Sequence, residues 1–163
     1  MAQKMKLDLI DRQILHDLQE DGRITNVDLS KRAGISAPPC LRRVRALEDA
    51  AIIKGYHADI NPDALGFSVQ VYAFVGLTSQ AESDLQDFEK LVSLWPQVRE
   101  CHMLMGEIDF LLKIVAHDWD DFQKFLTSRL TSAKNVSHVK TALSIRSTKQ
   151  LVGIPIELAD FDN

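Results

Sequence analysis

The sequence predicts an α+β chain in two halves: three short helices of helix-turn-helix type, then a split βαββαβ, ferredoxin-like half. Three observations lead there. Residues 8–53 carry three helical apolar periods, each opened by a capping residue and the first two closed by glycine. Residues 67–145 read strand, helix, strand, strand, helix, strand. Between the halves, Asn61-Pro62-Asp63 and Leu65-Gly66 supply turn chemistry without apolar periodicity.

Asp8 is placed to cap a first helix whose apolar face is Ile10, Ile14, Leu15 and Leu18, with Gly22 as its stop. Thr25 opens the second, and Asp28, three residues on, makes a shortened capping box. Val27, Leu29 and Ala33 form its core face and Gly34 ends it. Ser36 then caps a third helix, running to about Glu48, with Pro38 and Pro39 in its first turn. Proline is tolerated there because those amides have no intrahelical partner. Leu41, Val44 and Leu47 share the side expected to pack inward. Lys54 to Ile60 reads as a short extended segment.

In the second half, Phe67–Leu77 alternates as a strand. Ser79 with Glu82 forms a capping box for a helix carrying Leu85, Phe88, Leu91, Val92 and Trp95, closed by Pro96. Strands at Val98–Met105 and Asp109–Val115 are joined by a tight turn at Gly106-Glu107. A helix from Trp119 to Leu130 buries Phe122, Phe125, Leu126 and Leu130, and Val136–Ile145 is the last strand. The expected domains are therefore 1–60, a linker at 61–66, 67–149, and a tail at 150–163 with a short strand at Leu151–Ile156.

The 163 residues are 45% hydrophobic and 26% charged, ordinary for a globular protein, so wholesale disorder is not expected. No apolar run approaches the ~18 residues of a membrane span, and nothing apolar follows Met1–Lys6 to make a secretory leader. A cytoplasmic protein is expected. Cys40 and Cys101 are too few and too far apart for a disulfide framework or a zinc site, and read as free buried thiols. The five histidines are scattered, without a metal-ligand pair. Glu107 and Asp109 have neither nucleophile nor metal beside them, and no phosphate-binding glycine loop appears, so enzyme chemistry is not indicated.

The net charge of −4 is unevenly spread. Residues 1–60 hold ten Lys/Arg against nine Asp/Glu, +1, which leaves nine against fourteen, −5, for residues 61–163. Within 31–54 the balance is six basic to two acidic. Local sign governs phosphate contact. A helix-turn-helix lays its second helix in the major groove with the N-terminal residues at base edges. Ser36, Ala37 and Pro38 occupy that end, and Arg42, Arg43 and Arg45 lie along the helix, where planar guanidinium forks suit guanine and phosphate. Thr25 and Asn26 open the supporting helix, whose first amides could meet a backbone phosphate. A solvated basic face is the plainer reading of three arginines; the preceding helix, glycine turn and capped start favour double-stranded DNA as partner.

Ile10-Asp11-Arg12, Asp21-Gly22-Arg23, Thr25 to Arg32 and the run Pro39-Cys40-Leu41-Arg42-Arg43-Val44-Arg45-Ala46-Leu47-Glu48 closely resemble the Lrp/AsnC family of bacterial and archaeal regulators. The likeness continues through Ile53-Lys54-Gly55-Tyr56, Asn61-Pro62, Leu65-Gly66 and Gly106-Glu107-Ile108-Asp109-Phe110. It implies a winged-type helix-turn-helix joined to a ferredoxin-like effector domain, the RAM domain. It also implies dimers formed through the effector sheets, assembly to octamers, and an amino acid bound between dimers to adjust amino-acid metabolism genes, in a nucleoid-associated protein without cofactor. The effector site implied is Leu104, Met105, Gly106, Glu107 and Asp109, joined by Thr141 and Leu143 of a neighbouring subunit. Backbone amides around Gly106 would receive an α-carboxylate and Asp109 an α-ammonium; the plainer reading is a hairpin glycine and a turn-stabilising carboxylate. Met105 and Phe110 depart from the small hydroxyl residue and tyrosine that many relatives carry. Two other functions share this architecture: an effector-independent architectural DNA protein, and a sirohaem decarboxylase, whose polyanionic substrate fits poorly with an acidic second half.

Overall fold

The computed structural model describes residues 6–151 and 153–158. Met1–Met5, Val152 of the expected tail strand and Ala159–Asn163 of the tail lie outside the described residues. The chain divides into two compact units, one holding residues up to Asp59 together with those from Lys149, the other spanning Ile60–Thr148.

In the first unit, α1 (Leu9–Glu20), α2 (Asn26–Arg32) and α3 (Ala37–Asp49) enclose a small core of Ile14, Leu29, Cys40 and Leu47. α1 opens with a true capping box: the Asp11 amide donates to Asp8 at 2.8 Å and the Asp8 amide to Asp11 at 3.2 Å. Its stop is Asp21 in extended backbone rather than Gly22, because the Asp21 amide already closes the last turn on Asp17. α2 ends as the sequence indicates. Gly34 sits at φ +68°, its amide bonds Lys31 and the next amide, of Ile35, bonds Ser30, a Schellman closure that needs a residue at ease in left-handed backbone. Val27 and Leu41, expected inside, are exposed, the faces of α2 and α3 that turn inward being those of Leu29, Cys40 and Leu47. Residues 54–60 carry no regular secondary structure, and neither do the described residues of 151–156: the expected tail strand has no ladder to join.

In the second unit β1 (Val69–Leu77), β2 (Val98–Met103), β3 (Phe110–Ala116) and β4 (Val136–Leu143) form an antiparallel sheet in the order β2-β3-β1-β4. Ala73 of β1 stands between Leu112 of β3 and Thr141 of β4. Period-two alternation sends Val71, Ala73, Val75, Phe110, Leu112 and Ile114 to one face, where α4 (Glu82–Ser93) and α5 (Trp119–Phe125) cover them. Phe88, Trp95 and Phe125 knit that layer, with the Trp95 ring edge-on to both phenyls. The other face, with Tyr72, Phe74, Leu111 and Val115, stays half-open.

Several boundaries differ from the sequence reading. α5 widens after Phe125 into a π turn, Leu126–Leu130, closed by the Thr131 amide on Leu126. Ser79 does not cap α4, which starts later under Ala81; Ser79 is instead held by Asn135 on both backbone groups and donates its hydroxyl to Asp84 at 2.6 Å. β2 stops at Met103 and β3 starts at Phe110, so the connection is a loop of 104–109 rather than a tight turn, and β4 ends before Ile145. Cys40 is buried but Cys101, on the edge strand β2, is exposed.

Phe110 is fully buried against Phe88 at 4.8 Å between ring centroids. Phe110→Ala is expected to cost about 3–5 kcal/mol, read as a lowered midpoint in chemical denaturation.

Candidate functional site

The turn between α2 and α3 is Ala33-Gly34-Ile35-Ser36, and the two helices bracket it as in a helix-turn-helix. Ser36 stands at the N-cap of α3 but its hydroxyl caps nothing. An N-cap side chain accepts from the second or third helical amide; here those positions are Pro38 and Pro39, which have no N–H. Ala37 alone keeps an amide among the first three residues of α3. Ser36 and Pro38 are exposed, and the Ser36 hydroxyl is left for an outside partner.

Helical spacing puts Pro38, Arg42 and Arg45 on one stripe, four and then three residues apart. Arg42 and Arg45 are exposed and, among the described residues, have no ion-pair or hydrogen-bond partner. Arg43 lies about 100° further round the helix, and its role differs from the one expected. Its Nη1 sits 2.8 Å from Asp8 and 2.7 Å from Asp11, so the guanidinium joins α3 to the start of α1. Asp11 is only 3% exposed. A carboxylate so far from water must be paired or protonated. The Asp11 amide, and then the guanidinium, hold Asp8 below its ordinary pKa, while the two carboxylates push that of Arg43 up. Arg43 is therefore a strut between α3 and α1, its guanidinium engaged within the unit. A signal was present: Asp8 and Asp11, three residues apart at a helix start, leave one carboxylate with capacity for a cation.

Thr25 and Asn26 are likewise occupied. The Thr25 hydroxyl accepts from the Asp28 amide at 3.1 Å and donates to the Asp28 carboxylate at 2.7 Å. That carboxylate, also bonded by Lys31 at 3.0 Å and lowered in pKa by both, stands at the start of α2, where a phosphate was expected. Asn26 Nδ2 donates to the Ala37 carbonyl at 2.9 Å, bolting the start of α2 to the start of α3. Lys31 and Arg32, not singled out from the sequence, are exposed on α2 beside the turn.

The second expected site is the loop after β2. Leu104, Met105, Gly106 and Glu107 are exposed, Met105 completely, as are Thr141 and Leu143 on β4. Asp109 is different, being 7% exposed. Its carboxylate accepts from the Leu77 amide at 2.6 Å and from Gln80 Nε2 at 2.8 Å. Both oxygens are engaged in pinning the loop to the end of β1. Among the described residues the amides of Met105, Gly106 and Glu107 have no acceptor within the chain. They remain available to an anion.

Residues 7–48 match the family model of the AsnC-type helix-turn-helix domain, and residues 70–154 that of the Lrp/AsnC ligand binding domain. The chain is 48% identical over 156 residues to a leucine-responsive regulatory protein of Rhizobium meliloti, covering 96% of this chain and all of that one. It is 40% identical over 144 residues to the leucine-responsive regulatory protein of Escherichia coli K12, 88% of each chain. A transcriptional regulator of Neisseria meningitidis solved as its L-Met complex superposes with a TM-score of 0.87 at 36% identity, over 92% of this chain and 97% of that one.

Arg43→Ala strands the buried Asp11, and the expected loss is about 1–3 kcal/mol, more than an exposed arginine would cost; thermal melts of Arg42→Ala and Arg45→Ala should stay at the parent midpoint. The lowered pKa of Asp8 gives a contribution present above about pH 4 and lost as pH falls through the lowered value. Acid unfolding followed by circular dichroism should accordingly show a smaller acid-side loss in Asp8→Asn than in the parent.

Proposed function

The chain belongs to the Lrp/AsnC family, and from that membership we propose that it regulates transcription, binding DNA through α2 and α3 and answering an amino acid through its second unit. The relatives are transcriptional regulators, not enzymes, which sets aside the decarboxylase alternative. The observation that carries the DNA reading is the stripe of Pro38, Arg42 and Arg45 with Ser36 at its head, exposed and unpartnered on the second helix of a helix-turn-helix. The first turn presents small or flat side chains that allow close approach to base edges; the two guanidinium groups follow one and two turns further on. Ala37 supplies the one amide. Asn26 supports this face by fixing α2 to α3 and Thr25 by capping α2, while Lys31 and Arg32 lie beside it, paired with Asp28 and Asp17.

The effector reading rests on the loop 104–109 and the β4 residues Thr141 and Leu143. Three unpaired amides suit an α-carboxylate, and Met105, Leu104 and Leu143 suit an apolar side chain. Glu107 is the free carboxylate nearest to hand for an α-ammonium, in place of Asp109. So much exposed apolar surface on one loop and one strand calls for cover from another copy. The half-open sheet face bearing Tyr72, Phe74, Leu111 and Val115 is the surface through which a dimer would form, with larger assemblies following from the loops. Among the described residues no helix is long and apolar enough to cross a membrane; a protein working on DNA acts in the cytoplasm.

Gel shifts on the region upstream of its own gene should show binding that weakens steeply with salt. Arg42→Ala and Arg45→Ala should each lose about 1–3 kcal/mol if the arginine reads a base; unchanged affinity in both would remove this face from the interface. Calorimetric titration with a panel of amino acids should return heat for at least one, whereas silence throughout favours the architectural protein. Light scattering should give a multiple of the 18.4 kDa chain mass, and a monomer would overturn the assembly.

A further inference from the structure

The C-terminal segment leaves β4 of the second unit but belongs to the first. Gln19, near the end of α1, reads Ile154 by both backbone groups: Nε2 donates to the Ile154 carbonyl at 2.8 Å, and the Ile154 amide donates to Oε1 at 3.0 Å. Arg12 Nη1 donates to the Glu157 carbonyl at 3.3 Å. The two contacts are commensurate. From Gln19 back to Arg12 is seven helical residues, ~10.5 Å; from Ile154 on to Glu157 is three extended residues, ~10 Å. The segment thus runs antiparallel to α1, and its residues Ile154–Glu157 form one wall of a cleft of about 640 Å³ whose other walls include Leu15, Leu18, Ile52, Ile53 and Tyr56.

Recognition is of main chain, and the local sequence is suited to it. Gly153 lies at φ +82°, and a Cβ there would run into the Gln19 carboxamide, so a side chain at this position is strained and has to displace the group that holds Ile154. Pro155 has no N–H needing a partner and biases Ile154 toward extended backbone. Ile154 itself is 69% exposed and Ile156 half-buried. The segment is held by a few main-chain bonds rather than by deep burial, which makes it releasable.

We infer that the flank of α1 bearing Arg12 and Gln19 is a peptide-docking surface whose occupant is the chain's own segment Gly153–Leu158, a strap that returns the end of the second unit's chain to the helix-turn-helix unit. The two units are then joined by two stretches of chain, the linker at Asp59–Ile60 and this strap, and its release leaves one. The test uses the full chain carrying Cys101→Ser, which removes the exposed thiol, with Ile52→Cys and Ile154→Cys, two cleft residues whose side chains make none of the docking bonds. A short bis-maleimide should yield an adduct within one chain on a denaturing gel, and adding Gly153→Ala should cut that yield about fivefold or more. A predominantly two-chain adduct would place the segment on a second copy and overturn the inference, as would a yield indifferent to Gly153→Ala. In parallel, the Ile154 amide in the parent chain should exchange about tenfold more slowly than in Gln19→Ala; equal rates would overturn it.

Discussion

A carboxylate with almost no access to water needs partners for its oxygens, and in this protein Asp11 finds Arg43. That pairing ties the first turn of α1 to the middle of α3, with Asp8 as a second acceptor on the same nitrogen. Once Arg43 is turned toward α1, helical geometry leaves Arg42 and Arg45 directed elsewhere, on a stripe shared with Pro38. The exposed basic stripe of α3 is thus set indirectly, by which arginine is withdrawn from it. Asn26 does the matching work at the other end of α3, through the Ala37 carbonyl.

The second unit uses the same device. Asp109 is nearly buried and accepts from the Leu77 amide and Gln80, so the loop that follows β2 is anchored at its far end while Met105 and its neighbours project. Anchoring by a charged acceptor is strong because an ionised group makes roughly doubled hydrogen bonds. A loop held at its root and open at its tip can present bare amides without collapsing onto the sheet. In both units a nearly buried aspartate positions the groups around it.

Charge follows the same logic of local arrangement. A chain of net charge −4 can approach a polyanion only if its basic groups are concentrated and its acidic ones engaged nearby. Asp8, Asp11 and Asp28 are each bonded to a cation of the same unit, so their fields are largely cancelled where α2 and α3 meet solvent. Arg42 and Arg45 keep their full charge.

Order and type of elements, the helix-turn-helix, the ferredoxin-like sheet and the helix faces of the second unit were legible in the sequence, because apolar period, capping residues and turn residues are local chemistry. Gly34 and the Asp8 cap were legible for the same reason. What the sequence could not express was competition for a partner. Three arginines within four positions look alike until the fold brings Asp8 and Asp11 to one of them. Ser36 reads as a cap until the two amides it would serve prove to be prolines, a conflict visible in the letters but decided only by where the helix begins. Asp109, the exposed Val27 and the segment from Gly153 to Leu158 were settled by neighbours distant along the chain. Sequence determined which groups could ionise, donate or bend the backbone; tertiary structure decided which of them were already engaged, since a hydrogen bond or ion pair depends on distances that only the closed fold sets.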